Sequence, residues 1–137
     1  MRVVNRLDAL QFAAGVLAPR QAAALEVVGR RSGRPISVPV ALAELDGEAY
    51  LVSMLGEGAQ WVRNVRAAGG RATLRRRGRA RPVHLEEVPV GRRGPVLRRY
   101  LEIAPGARPH VAVDRRAPLE DLERVAAAHP VFRVVPD

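Results

Sequence analysis

Short apolar segments divided by tight turns make up most of the sequence after residue 20, and this spacing limits the fold more than any other feature. Asp46-Gly47 separates two such segments, which is a strong signal for a two-residue β-hairpin. Gly78 divides a second pair of segments in the same way. The expected strands are 23–29, 36–45, 48–54, 71–77, 79–88 and 131–135.

Helical segments are inserted between these strands. The spacing of apolar residues predicts helices over 60–68, 92–103 and 118–129, and Gly69-Gly70 should end the first of them. Strands joined as hairpins do not fit the alternating strand and helix order of a parallel sheet. The sequence therefore predicts an α+β fold, a small antiparallel β-barrel with helices packed outside it.

Residues 1–20 carry the pattern of an amphipathic helix, and residues 21–137 are expected to form a single domain. Asp8 and Gln11 interrupt the apolar run, which excludes a secretion signal or a spanning helix at this point. A helix docked on the domain is favoured over one lying on a membrane surface, which would give peripheral membrane contact. The chain has no cysteine, and the expected location is the cytoplasm, with the inner face of the plasma membrane as the alternative.

The net charge of +9 points to anionic partners, but all 23 basic residues are arginine. Such a bias, alongside much alanine, glycine and proline, is typical of a G+C-rich coding sequence, so part of the excess is compositional. The densest run is "LRRRGRARP" at 74–82. Aromatic residues make up 4% of the chain and none interrupts this run, so a solvated strand face is favoured over a nucleic-acid site.

Side chains that commonly carry catalysis are not grouped along the sequence. His84, His110 and His129 lie in three separate segments, without the spacing of metal ligands. Glu86 and Glu87 are adjacent on one expected strand and so face opposite sides, which prevents them from acting as a carboxylate pair. No serine lies in a nucleophile elbow, and no phosphate-loop or dinucleotide fingerprint occurs. The sequence therefore predicts no metal site and no catalytic side chain.

The segment "VVGRRSGRPISVPV" at 27–40 places three arginines around one tight turn. Like charges so close repel, and the turn itself needs none of them, which indicates an anionic ligand. A second segment, 53–70, leads a glycine-rich loop into the helix that carries Trp61, and the free N–H groups of a helix start favour phosphate. Arg63 and Arg66 lie three residues apart on this helix and can share a face. Together the two segments predict a site for one elongated, anionic and partly aromatic ligand.

These segments resemble the deazaflavin-dependent nitroreductase and quinone reductase family. The matching motifs are "GRRSGRPISVPV", the hairpin "DGEAYLVSM" and "WVRNVRAAGG". The resemblance runs from about residue 24 to the end of the chain. It implies a split β-barrel of a chiefly actinobacterial family that binds coenzyme F-420, an 8-hydroxy-5-deazaflavin with an oligoglutamate tail.

The resemblance implies three groups of coenzyme-binding residues. The turn takes the phosphate and the oligoglutamate tail, the end of the third strand lies along the deazaflavin, and the helix start closes over the phosphate and ring. In this order the groups are Arg30, Arg31, Ser32, Gly33, Arg34 and Pro35; Val52, Ser53 and Met54; and Gln60, Trp61, Val62, Arg63 and Asn64.

The chain departs from the family pattern at several places, and the loop after the third strand is shorter. Met54 stands where a lysine is common, and the Ile36-Ser37 pair replaces a basic residue. The tyrosines that line the substrate side in nitroimidazole-reducing members have no clear counterpart in 104–133. Coenzyme binding is therefore better supported by the sequence than any particular substrate.

The implied activity is hydride transfer from the reduced coenzyme to an electron-poor small molecule such as a quinone, a nitro compound or an activated alkene. This step needs no acid or base from the protein, which agrees with the lack of a catalytic set. A proton for the product could come from Tyr50, Tyr100, His110 or water, and the sequence does not choose between them. The alternatives are a non-catalytic barrel that holds a deazaflavin, a flavin or a lipid, and a basic nucleic-acid-binding domain.

Overall fold

The computed structural model describes residues 21–137, and the helix expected over 1–20 lies outside them. The strands are β1 (Ala22–Val28), β2 (Pro35–Ala41), β3 (Ala43–Leu45), β4 (Glu48–Val52), β5 (Arg71–Arg76), β6 (Arg79–Glu87) and β7 (Val131–Pro136). The helices are α1 (Gln60–Ala67), α2 (Gly94–Ile103) and α3 (Leu119–Ala126), with short 3-10 turns at Gly56–Gly58, Val90–Arg92 and Pro105–His110. The predicted helices and strands of this part of the chain are present, with ends that differ by a few residues, except that the segment 36–45 forms two strands.

The strands join into one antiparallel sheet in the order β2-β1-β5-β6-β7-β4-β3. The sheet curls into a split barrel with helices outside it, and the predicted α+β class and barrel architecture are confirmed. Both predicted hairpin turns form with left-handed residues. Asp46 and Gly47 have φ of 53° and 79°, and Arg77 and Gly78 have φ of 50° and 78°.

The prediction of one continuous strand over 36–45 is wrong, because this segment forms β2 and β3 with Leu42 between them. These two strands lie at opposite edges of the sheet, so the chain passes from one edge to the other at Leu42. Leu42 is 2% exposed, and its N–H donates to the carbonyl oxygen of Gln21 at 2.8 Å. Residues 39–43 are all buried, which breaks the alternation of a half-buried strand.

Two apolar cores lie on the two faces of this curled sheet. The interior core contains Leu25 and Phe132, together with Val62 and Val65 of α1. The outer core packs α2 and α3 against the outer face of β3 and β4. Its fully buried leucines are Leu97, Leu101 and Leu122.

Antiparallel pairing brings the carboxyl ends of β1, β4 and β6 to the same end of the barrel. The turn after β1 and the loop after β4 therefore lie at one end, which is also where β7 begins. The arginine-rich turn between β5 and β6 lies at the opposite end, since Ala24 of β1 pairs with Arg75 and Glu26 pairs with Thr73. The two basic surfaces of the chain are thus separated by the length of β1.

Gly69 and Gly70 end α1, as the sequence predicts. Both have positive φ, and the N–H of Gly70 donates to the carbonyl oxygen of Val65 at 2.9 Å. The two glycines differ in their surroundings. A Cβ on Gly69 would meet nothing within 4 Å, whereas a Cβ on Gly70 would lie 2.6 Å from the carbonyl oxygen of Leu85. Gly70 therefore allows α1 to lie close to β6.

Alanine substitutions at these two glycines should separate backbone strain from close packing. Gly69→Ala should lower the free energy of unfolding by about 1–2 kcal/mol, the strain of a left-handed alanine. Gly70→Ala should cost about 1–3 kcal/mol more, because its Cβ would collide with Leu85 in β6. Denaturant unfolding of both variants measures this difference, and equal losses would contradict the close approach at Gly70.

Candidate functional site

The turn between β1 and β2 is closed by its own hydrogen bonds. The N–H of Gly29 donates to the carbonyl oxygen of Arg34 at 2.8 Å. The N–H of Gly33 donates to the carbonyl oxygen of Gly29 at 2.9 Å. The hydroxyl oxygen of Ser32 accepts from the N–H of Arg34 at 3.1 Å, and Gly33 adopts φ of 72°. The backbone therefore fixes this turn, while the side chain of Arg31 projects from it and is exposed.

Arg30 joins this turn to α1 by three hydrogen bonds, which we call the Arg30 bridge. Its backbone N–H and its Nη1 both donate to Oδ1 of Asn64, at 3.1 and 2.8 Å, and its Nη2 donates to Oε1 of Gln60 at 2.9 Å. Asn64 is 4% exposed, so its side chain is a buried anchor for the turn. The two segments that the sequence assigns to one site are thus brought together by three hydrogen bonds.

The arginines at this end of the barrel differ in how their charge is balanced. Within residues 21–137, Arg31, Arg34 and Arg63 are exposed and form no ion pair or side-chain hydrogen bond, and Arg30 contacts only neutral amides. Arg66 instead donates to Glu57 at 2.8 Å and to Glu87 at 2.6 Å.

The two carboxylates that contact Arg66 raise its pKa, with the hydrogen bond to Glu87 as the largest cause, and they neutralise its charge. Of the two arginines that the sequence places on one face of α1, only Arg63 remains without a carboxylate partner in the described part of the chain.

The start of α1 leaves backbone donors without acceptors. Ala59 occupies the N-cap position and has no side-chain acceptor, and the first turn contains no acidic residue. The N–H groups of Gln60, Trp61 and Val62 precede the first intrahelical hydrogen bond, in which Arg63 donates to Ala59 at 3.3 Å. These donors lie beside the Arg30 bridge, so backbone and side chains combine to favour an anion.

The three residues at the end of β4 are placed differently from one another. Val52 and Ser53 are 7% and 0% exposed, and the Ser53 hydroxyl donates to the carbonyl oxygen of Gly56 at 2.7 Å. The backbone carbonyl oxygen of Ser53 lies 2.9 Å from Nδ1 of His129, so the hydroxyl and the carbonyl of Ser53 are both hydrogen-bonded. Met54 is half-buried and is the one of the three with side-chain surface outside the core.

Trp61 contacts the core and also keeps part of its ring at the surface. Its ring centroid lies 5.7 Å from that of Phe132, with the planes tilted by 57°. Val62 is fully buried, so its contribution to a ligand site is limited to its backbone. The remaining site residue of the turn, Pro35, is exposed at the first position of β2.

A buried cation that the sequence analysis missed supports this end of the barrel. The Arg93 side chain is 5% exposed, its Nε donates to the carbonyl oxygen of Val88 at 2.8 Å, and its Nη1 donates to that of Ala126 at 3.1 Å. Its Nη2 donates to Glu87 at 3.3 Å. Arg93 follows another arginine in a glycine-rich segment, and no local pattern distinguishes it from a surface residue.

Residues 21–137 contain no group of acidic or histidine side chains able to hold a metal ion.

Comparison with known proteins gives one family match. A family model described as F420H(2)-dependent quinone reductase matches residues 3–120. No curated protein matches the sequence.

Solved structures share the fold at low sequence identity. An F420-H2 dependent reductase, FDR-A, is 20% identical over 86% of this chain and 96% of its own, with a TM-score of 0.58. A FAD-binding protein from Mesorhizobium loti is 20% identical, with 85% and 81% covered and a TM-score of 0.50. A heme binding protein from Mycobacterium smegmatis is 14% identical, with 93% and 49% covered and a TM-score of 0.55. Proteins named for three different cofactors share this barrel, so the fold alone does not select the ligand.

Removing the anchor of the arginine turn should destabilise the protein measurably. Asn64→Ala removes a buried acceptor and leaves two part-buried donors of Arg30 without a partner, and should lower the free energy of unfolding by about 1–3 kcal/mol. Gln60→Ala is the matched control, because its bond to Arg30 is exposed and water can replace it; its cost should stay below about 1 kcal/mol. Thermal or denaturant unfolding measures both, and a larger loss for Gln60→Ala would contradict the anchor.

Proposed function

The chain belongs to the F420H(2)-dependent quinone reductase family, and from this premise we propose that it transfers a hydride from reduced coenzyme F-420 to a quinone. Membership of the family makes the chain an oxidoreductase and coenzyme F-420 its cofactor. The observation that carries the proposal is the Arg30 bridge, which joins the two segments that we propose bind the coenzyme. Nitro compounds and activated alkenes are further acceptor classes, because they are also electron-poor.

The charge of this surface fits the coenzyme. Arg30, Arg31, Arg34 and Arg63 carry positive charges with no carboxylate partner in residues 21–137. A phosphate and an oligoglutamate tail offer several negative charges, and charge-assisted hydrogen bonds to guanidinium groups are stronger than neutral ones. The turn arginines would hold the tail, and the uncapped start of α1 would hold the phosphate.

The protein's part in the reaction is binding and orientation. The bound coenzyme supplies a hydride and so carries the difficult chemical step itself. Met54, which follows β4, and Trp61 are both half-buried, and each would offer side-chain surface to a flat ring. Ser53 is held by Gly56 and His129, and this hydrogen bonding fixes the strand end against which the ring would rest. Glu57 and Glu87, which contact α1 through Arg66, are paired with arginines and so would not oppose an anion.

The basic turn between β5 and β6 forms a separate surface. Arg79 and Arg81 lie there beside Leu74, at the opposite end of β1 from the proposed coenzyme site. The cofactor therefore accounts for one of the two basic surfaces and leaves the other outside the proposed function.

In the described residues no helix is long and apolar enough to cross a bilayer.

Turnover and binding together test the proposed function. The full chain, mixed with reduced coenzyme F-420 and duroquinone, should regenerate the absorbance of the oxidised coenzyme. Coenzyme binding should quench the emission of Trp61, the one tryptophan of the chain. Arg63→Ala should weaken this binding about tenfold, the effect of losing one charge-assisted bond. Flavin mononucleotide, which has a phosphate but no glutamates, should bind more weakly than coenzyme F-420.

Arg81→Ala is the matched control, because Arg81 is exposed on β6 at the far end of the barrel. Its affinity for the coenzyme should stay within about twofold of the wild type, as expected for a distant charge screened by salt. Equal losses for Arg63→Ala and Arg81→Ala would mean that general charge, rather than a site, attracts the coenzyme. Tighter binding of flavin mononucleotide, or no oxidation of the reduced coenzyme, would contradict the proposed function.

A further inference from the structure

The hairpin formed by β5 and β6 carries a second group of arginines, which the coenzyme does not account for. Arg76 lies directly opposite Arg79 across this hairpin, and Leu74 lies opposite Arg81. Residues paired in this way share a face of the sheet, and Leu74 belongs to the interior core. The three arginines therefore continue the interior face of the barrel at the end opposite to the proposed coenzyme site.

The hairpin encloses an open cavity of about 540 Å³, which we call the hairpin cavity. The neighbouring strands stop short of it, since β1 pairs with β5 only up to Arg75 and β7 pairs with β6 only from Val83. The tip of the hairpin thus extends beyond the paired part of the described sheet. The described residues that line the cavity are Leu74, Arg76, Arg77, Arg79 and Arg81.

Carboxylates of the described chain do not balance the charge of the hairpin cavity. Arg77, Arg79 and Arg81 are exposed and form no ion pair or side-chain hydrogen bond with residues 21–137. Arg75 differs from them, because its Nε lies 3.6 Å from Oε2 of Glu26 and its side chain is on the other face of the hairpin. Like charges on facing strands destabilise a hairpin, so a bound anion would stabilise this one.

The turn residue Arg77 also points to a ligand. Arg77 and Gly78 have φ of 50° and 78°, close to the 53° and 79° of Asp46 and Gly47 in the other hairpin turn. Turns with positive φ at both central positions favour Asn, Asp or Gly at the first of them, as Asp46 illustrates. An arginine there is strained, and strained residues are concentrated at functional sites. A role of the Arg77 side chain in the cavity explains why an arginine occupies this position.

We propose that the hairpin cavity binds a small oligophosphate, a free anion with two or more linked phosphate groups. Linked phosphates place several charged oxygens close together, so one ligand can contact arginines of both strands, and guanidinium groups bind phosphate through paired hydrogen bonds. The surface is concave, which favours a compact ligand over a flat membrane. None of the described lining residues is aromatic, so the cavity lacks the stacking platform of a single-strand nucleic-acid site.

Calorimetric titration with inorganic triphosphate tests this site in the full chain saturated with coenzyme F-420, which occupies the other basic surface. We expect one saturable site, and weaker binding of orthophosphate because it reaches fewer arginines. Arg79→Ala should weaken triphosphate binding about tenfold, the effect of losing one charge-assisted bond. Arg75→Ala is the matched control, since it removes the same charge from the other face of the same hairpin, and its affinity should stay within about twofold of the wild type.

Arg77→Asn gives a second test whose result a loss of folding cannot imitate. Asparagine suits the left-handed turn position better than arginine, so the variant should melt at a higher temperature than the wild type. It should nevertheless bind triphosphate about tenfold more weakly, because one lining cation is removed. Amide NMR signals locate the ligand: triphosphate should shift the signal of Gly78 and leave that of Gly33, in the other arginine turn, unchanged.

Three results would overturn the inference. The first is the absence of saturable triphosphate binding to the coenzyme-loaded protein. The second is an equal loss of affinity in Arg79→Ala and Arg75→Ala, because general charge rather than a site would then attract the anion. The third is tighter binding of duplex DNA or of phosphatidylglycerol vesicles than of triphosphate, with the same dependence on Arg79, since the partner would then be a macromolecule or a membrane. None of these results depends on turnover with a quinone, so they are distinguishable from a failure of the proposed function.

Discussion

The closure of the barrel at Leu42 is the constraint on which the rest of the molecule depends. One buried residue connects strands at opposite edges of a seven-stranded sheet, so the sheet must curl until those edges approach each other. Curling separates an interior core from an outer core, and it gathers the carboxyl ends of β1, β4 and β6 at one end. The site is assembled from the loops at that end, so its geometry is a consequence of closure.

Within this frame, charge balance distinguishes structural arginines from those available to a ligand. Arg66 and Arg93 share Glu87 and hold the end of β6 to α1 and to the end of α3. Arg30 has an intermediate role, since it contacts only neutral amides: it positions the turn and keeps its positive charge. The arginines of this strongly basic chain therefore have different roles, and the net charge alone does not distinguish them.

The sequence predicted the parts of the molecule whose cause is local. The Asp46-Gly47 turn, the end of α1 at Gly69-Gly70 and the antiparallel class all follow from turn chemistry and periodicity, and all are confirmed. The division of the 36–45 segment at Leu42 was missed, although its run of buried residues is visible in the apolar stretch 38–43. The Arg30–Asn64 contact joins residues 34 positions apart, and the burial of Arg93 depends on α3. Such long-range pairings leave no local pattern in a single sequence.

The central claim is that the turn arginines bind the anionic tail of the coenzyme, while the deazaflavin ring contacts Met54 and Trp61 instead. The most direct measurement is a calorimetric titration of the wild type and Arg31→Ala with coenzyme F-420 and with a deazaflavin riboside that lacks the phosphate and glutamates. Arg31→Ala should weaken binding of the full coenzyme about tenfold and leave the tail-free ligand within about twofold of the wild type. Equal weakening of both ligands would contradict the claim, because the arginine would then act on the ring or on the fold rather than on the tail.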